Sequence, residues 1–293
     1  MKPYEFVKLY AAQTGKGKKG KSSRAAEAVQ LLMFRLKTTR EKLYTRYREE
    51  MPVPAEKRLR EDLNLRLKGA PLRYITGEEW FFGREFAVKK GVLIPRQDTE
   101  ALIRAAKRAL AGEKNVTAAD MGCGSGIIGI TLVLELPQIT RFDCCDINNA
   151  ALALTKQNAR RLGAAKRIRV FKGDMARRSA VQRPKYGLII SNPPYVSRAS
   201  YSKLQREVLQ EPKNALFAPE KGFYYYRMLA VNSRFWLKQG GIVIVEAGSG
   251  MAAGIKRIFA KSGYRHIFSE HDAGGRERAV VFKVKDSGFE VIM

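Results

Sequence analysis

Four residues carry the chemistry most legible in this chain: Asn192-Pro193-Pro194-Tyr195, directly after the run Tyr186-Gly187-Leu188-Ile189-Ile190-Ser191. Two consecutive prolines fix φ and remove two backbone N–H groups, leaving a stiff stretch that offers only carbonyl acceptors. Asn192 adds a side-chain carbonyl, and Tyr195 a flat ring able to lie against a flat polar group. The natural guest is a planar NH2. Two acceptors holding its two hydrogens would aim the nitrogen lone pair at an electrophile. That is catalysis by positioning, which can account for roughly 7–11 kcal/mol of barrier. A plain Pro-Pro turn after a core strand would leave the same tetrapeptide, so the elements around it must decide.

The run before Asn192 is short, apolar and bounded by turn formers, so it reads as a buried strand with the tetrapeptide just past its carboxyl end. In open α/β sheets ligands sit at that end. Upstream, Val116 to Met121 predicts a strand running into Gly122-Cys123-Gly124-Ser125-Gly126, with a helix from Ile127. Close-set glycines there would let a ligand's polar end approach backbone N–H groups. A second strand, 141–146, ends in Asp146, about 20 residues after the glycines, a spacing that sets a carboxylate on a ribose diol. A third, 168–171, is followed by Asp174 and Met175, and a fifth covers 242–246 after Gly240-Gly241. Helices are predicted over 222–237 and 251–262, and two last strands over 264–268 and 279–284. Gly124 to Gly129 also fits the dinucleotide pattern G-x-G-x-x-G, so the glycines alone do not choose between a hydride and a methyl donor. The order of parts, with an NH2-orienting loop at the fourth strand, favours the methyl donor.

The amino-terminal third is different. Ala28, Leu31, Leu32 and Leu36, then Leu43 and Tyr47, then Leu59, Leu63 and Leu67 mark three helical stripes. Ser22 or Ser23, and Thr38 or Thr39, are the expected caps. Residues 1–23 read as a basic tail ending in Gly15-Lys16-Gly17-Lys18-Lys19-Gly20-Lys21. From Pro71 the composition turns aromatic and β-prone, giving a hairpin or connector. It leads into Pro95-Arg96-Gln97-Asp98-Thr99-Glu100, a candidate lid whose Asp98 or Thr99 would cap the next helix. The divisions expected are 1–69 as a helical domain with its tail, 70–100 as hairpin and lid, and 101–293 as the α/β domain.

At 293 residues, with 45% hydrophobic and 10% aromatic residues, the chain has ample core. The formal charge of +27 suits an acidic partner, such as weak contact with RNA or the ribosome, or serves solubility alone. Three cysteines without a CxxC spacing and two histidines argue against a zinc site or disulfide framework, so no metal is expected. No apolar stretch has transmembrane length, and a cytoplasmic protein without membrane contact is expected.

In this order the pieces resemble the HemK-type protein-glutamine N5 methyltransferases. The resemblance covers residues 71–284 and rests on Pro71-Leu72-Arg73-Tyr74-Ile75, on Leu93 to Glu100, Asp120 to Gly126, Asn192 to Tyr195, Glu211-Pro212 with Ala215-Leu216, and Gly275 to Arg278. It implies a class I S-adenosylmethionine-dependent methyltransferase, an α/β Rossmann-like fold with a seven-stranded sheet and a small amino-terminal helical domain that binds release factors. By resemblance Gly122, Cys123, Gly124, Ser125 and Gly126 hold the methionine part of the cofactor, Asp146 its ribose, and Asp174 and Met175 its adenine, with Asn192 also at the cofactor. Asn192, Pro193, Pro194 and Tyr195, with Arg96, would bind the glutamine of a release factor's Gly-Gly-Gln, and Asn192, Pro193 and Tyr195 would carry the transfer in a monomeric enzyme. Gln97 stands where the family commonly has proline, and Met175 where an aromatic is frequent. Two other readings remain open. An adenine-N6 methyltransferase on RNA or DNA would offer the same loop an exocyclic NH2. A non-catalytic RNA-binding protein could retain the same fold.

Overall fold

The computed structural model describes residues 1–14, 21–181 and 186–285, and the chain packs as two compact units. The basic run 15–20 lies outside the described residues.

The first unit comprises Met1–Glu78 and Gln205–Gln210. Its helices are α1 (Pro3–Gln13), α2 (Lys21–Leu36), α3 (Arg40–Thr45), α4 (Val53–Leu67) and the short α5 (Leu72–Thr76). Ala28, Leu31, Leu32, Leu43, Leu59 and Leu63 are buried together, as their spacing requires, whereas Leu67 is exposed. Two expectations fail here. Residues 3–13 form a helix instead of part of a tail, because Phe6 and Tyr10, four apart, present one apolar face to that core. Helix α2 begins at Lys21, ahead of the expected serine caps. Thr39 does cap α3, accepting from the Lys42 N–H. Buried Arg66 ties the unit's distant segments together, donating to Tyr10 Oη (3.1 Å), Glu27 (2.8 Å) and Glu207 (2.6 Å).

The second unit starts at Glu79, within the first strand of a hairpin, β1 (Glu78–Phe81) and β2 (Arg84–Ala87). Then come α6 (Glu100–Ala109), β3 (Val116–Met121), α7 (Ile127–Glu135), β4 (Ile139–Asp146), α8 (Asn149–Arg161), β5 (Ile168–Lys172) and β6 (Tyr186–Ser191). Helix Tyr224–Trp236, β7 (Leu237–Glu246), helix Ala252–Lys261, β8 (Tyr264–His271) and β9 (Glu277–Val284) complete it. Seven strands form one sheet in the order β5-β4-β3-β6-β7-β9-β8. Strands β3 to β7 are parallel, and β9 runs antiparallel to both neighbours. Every residue of β6 is buried, and α7 is buried along almost its whole length, so both lie in the core as near-continuous apolar runs. Because β3 pairs with β6 on one side and β4 on the other, the sheet reverses its winding there. A crevice opens outside the carboxyl ends of the strands at such a point.

Candidate functional site

The crevice is lined from four directions. The loop after β3 supplies Gly122, Cys123, Gly124 and Ser125; the end of β4 supplies Asp146; the segment after β5 supplies Asp174 and Met175; the loop after β6 supplies Asn192 and Pro194. Arg96 also lines it, and Tyr225 adds an aromatic wall. Gly126, Pro193 and Tyr195 do not line it. Gly126 instead takes φ +81° as the residue before α7, and Tyr195 turns its ring edge onto Gly248, where a Cβ would lie 2.9 Å from its Cδ2.

Four N–H groups of the glycine loop turn inward to the protein. Gly122 and Cys123 both donate to the carbonyl of Cys145 (2.8 and 3.0 Å), Gly126 donates to Cys123 (2.8 Å), and Gly124 donates to Asp146 Oδ2 (2.9 Å). These donors brace the loop against β4. What its glycines give a ligand is close approach to the main chain. Gly122 has φ +87°, and a Cβ there would approach Met175 Cε to 2.6 Å. Asp146 is held at both oxygens, Oδ1 accepting from the Asn148 N–H at 2.8 Å. Burial raises its carboxyl, against the lowering effect of those N–H bonds. Asp120, at the end of β3, is fully buried and neither of its oxygens has a hydrogen-bond partner. Burial pushes its carboxyl well above the usual range, and the charge on Asp146 adds to that. Asp120 does not line the crevice, but Asp146 does, and it sets an acidic side chain beside the glycine loop where a ligand's hydroxyls or cationic groups would be received. The residues therefore fit S-adenosylmethionine, whose sulfonium and ammonium are both positive.

The segment expected as a lid is pinned as a wall. Buried Glu211 accepts from the Ile94 N–H (3.0 Å) and from Arg96 (2.5 Å), so Arg96 is committed to an ion pair. Gln97 Nε2 donates to the Trp80 carbonyl at 2.8 Å, a tie that proline at this position would lack. Asp174 is occupied locally, accepting from the Ala176 N–H. Of the three consecutive tyrosines, Tyr226 is packed in the core and Tyr225 reaches the crevice.

Asp98 or Thr99 was expected to cap α6; Thr99 stands at the cap position, yet its side chain makes no cap bond. Its hydroxyl donates to Glu246 Oε2 at 2.7 Å and accepts from Asn192 Nδ2 at 3.3 Å. Glu246, at the end of β7, is 1% exposed, and burial pushes its carboxyl up to about 7, with Thr99 and Arg278 holding it down and Asp98 pushing it up. Neither Thr99 nor Glu246 stands out as a site residue in the sequence. The one available signal was an acid ending the apolar run Ile242-Val243-Ile244-Val245, as Asp120 and Asp146 end theirs.

Comparison with known proteins bears on both units. Residues 97–222 match the methyltransferase small domain, and residues 17–77 match the PrmC N-terminal domain. The release factor glutamine methyltransferase of Moorella thermoacetica is 35% identical, over 86% of this chain and 88% of that protein. The enzyme of the same name from Bacillus cereus is 32% identical, over 96% of this chain and 98% of that protein. A crystal structure of a methyltransferase from Pyrococcus furiosus shares the fold at a TM-score of 0.52 with 15% identity, over 70% of this chain and 90% of that one.

Proposed function

This chain belongs to the release factor glutamine methyltransferase family, and from that membership we infer that it methylates the side-chain amide nitrogen of the glutamine in the Gly-Gly-Gln of peptide chain release factors. The observation that carries the reading to this site is the meeting, in one crevice, of Asn192 and Pro194 with the glycine loop and Asp146.

S-adenosylmethionine, when bound, supplies a methyl group on a cationic sulfur that departs as a neutral thioether, so no acid is needed. Gly122 to Ser125, Asp146, Asp174 and Met175 are the residues that would hold it. The chain's own work is orientation. Asn192 Oδ1 and a main-chain carbonyl of the loop it opens would accept the two hydrogens of the substrate NH2, which aims the nitrogen lone pair at the methyl carbon. With the methyl donor bound, a nitrogen–carbon bond would form as the carbon–sulfur bond breaks, and the methylated amide would release one of its two protons to solvent. No side chain forms a covalent intermediate. Walls pinned through Glu211 keep water from competing for the amide hydrogens. The helical unit, a match to the PrmC N-terminal domain, is the part that docks the release factor, and the enzyme works in the cytoplasm where translation ends.

The experiment is transfer of labelled methyl from S-adenosylmethionine to a purified release factor, to its Gly-Gly-Ala variant, and to total RNA and DNA. Label on the wild-type factor alone is expected. Label on nucleic acid alone would make this a base methyltransferase.

A further inference from the structure

Asn192 can help a substrate NH2 only if its own carbonyl, and not its own NH2, faces the acceptor. The two ends of an amide are nearly the same size, so shape alone does not fix which way it points. We propose that Glu246, acting through the hydroxyl of Thr99, is the positioning group that sets the polarity of the acceptor pocket. The inference rests on the reading above, in which Asn192 receives the glutamine amide.

The relay follows from hydrogen-atom counting. Thr99 Oγ1 has one hydrogen, and Glu246 Oε2 lies 2.7 Å away. An ionised carboxylate can only accept, so it takes that hydrogen. The hydroxyl is then left as an acceptor on its other side, where Asn192 lies at 3.3 Å. Only the NH2 end of Asn192 can satisfy it. That fixes Nδ2 on Thr99 and leaves Oδ1 as the end available to a substrate in the crevice that Asn192 lines. Protonating Glu246 reverses every step. The acid donates to Thr99, the hydroxyl's hydrogen is freed to donate to Asn192 Oδ1, and the amide can turn its NH2 toward the substrate. Two NH2 groups then face one another without an acceptor between them.

The surroundings of Glu246 keep this choice balanced. Arg278 is anchored by Ala247 O (3.0 Å), Asp98 (2.9 Å) and Asp272 (3.0 Å), so its charge is shared among carboxylates. Arg278 together with the Thr99 and Tyr195 hydroxyls favours the carboxylate, while burial and Asp98 favour the acid. The Tyr226 hydroxyl is spent on the main-chain carbonyl of Glu246 at 2.8 Å. The relay reaches Asn192 from two elements remote in sequence, the turn before α6 and the end of β7.

The test uses the full chain and an intact release factor. Thr99→Val removes the hydroxyl while keeping its volume, Thr99→Ser keeps the hydroxyl, and Glu246→Gln removes the charge. Each variant is followed by kcat and KM between pH 5.5 and 9, by S-adenosylmethionine affinity in calorimetry, and by melting temperature. For the wild type, kcat should climb with pH and level off above neutrality. Thr99→Val should lose roughly 10²-fold in kcat and the pH step, with cofactor affinity within about twofold of wild type. Thr99→Ser should restore most of what Thr99→Val loses, and Glu246→Gln should flatten the profile. Wild-type kcat with an unchanged pH step in a folded Thr99→Val would overturn the proposal while leaving the functional reading intact. A wild-type chain that transfers no methyl to the release factor at any pH would instead overturn that reading, and this inference with it.

Discussion

The carboxylate of Asp146 accepts the backbone N–H of Gly124 at 2.9 Å, joining the end of β4 to the glycine loop after β3. Its other oxygen accepts from the Asn148 N–H, so one side chain shapes the loop and still carries lone pairs toward the crevice. Asp146→Ala would remove both roles. Charge-assisted hydrogen bonds contribute about 1.5–3 kcal/mol each, so S-adenosylmethionine affinity should fall by about a hundredfold in calorimetry. An unchanged affinity would mean that the cofactor does not use this carboxylate.

Asn192→Ala separates orientation from cofactor binding. It removes the side-chain carbonyl and leaves the proline pair and the glycine loop in place. Transfer should fall by about two orders of magnitude or more, with S-adenosylmethionine binding largely kept. Turnover near the wild-type rate would remove Asn192 from the mechanism.

Gly122 stands at φ +87°, a conformation other residues hold only at a cost of about 1–3 kcal/mol. Gly122→Ala should therefore destabilise the chain by about 1–2 kcal/mol in urea denaturation. The atom its Cβ would meet is Met175 Cε, the free end of a flexible side chain, so the strain lies in the backbone. Adding Met175→Ala should not restore the loss. Full recovery in the double variant would show that crowding, and not φ, is the cause.

Glu246 contributes to the pH dependence of stability with a definite sign. Its carboxyl is raised from 4.5 to about 7 in the folded chain, so between those values the folded state holds a proton that the unfolded state releases. Stability must then fall as pH rises through that window, by at most about 3 kcal/mol from this group. Asp120, raised by burial, acts in the same direction. Unfolding in urea at pH 5 and pH 8 should show a smaller loss for Glu246→Gln than for wild type. An equal loss in both would place the titration elsewhere.

Much of the fold was legible because its elements are written locally. Seven strands follow from short apolar runs such as 186–190 and 242–245, and the order of the loops after them marks the crevice. What escaped depends on contacts remote in sequence or on small local cues. Phe6 and Tyr10 form a helical pair too short to stand out beside a basic run. Thr99 looks like a cap because helix capping is a local rule, yet Glu246, 147 positions away, takes its hydrogen. The glycine loop was legible as a loop, but its bonds to Cys145 and Asp146 depend on how β3 and β4 lie side by side.

The most direct test of the central claim is the location of the methyl group. A release factor incubated with this protein and S-adenosylmethionine, digested and sequenced by tandem mass spectrometry, should carry one added methyl on the side-chain amide of the Gly-Gly-Gln glutamine, formed at a far lower initial rate by the Asn192→Ala variant. A methyl found on any other residue, or an unmodified glutamine in a factor that binds the protein, would contradict the account.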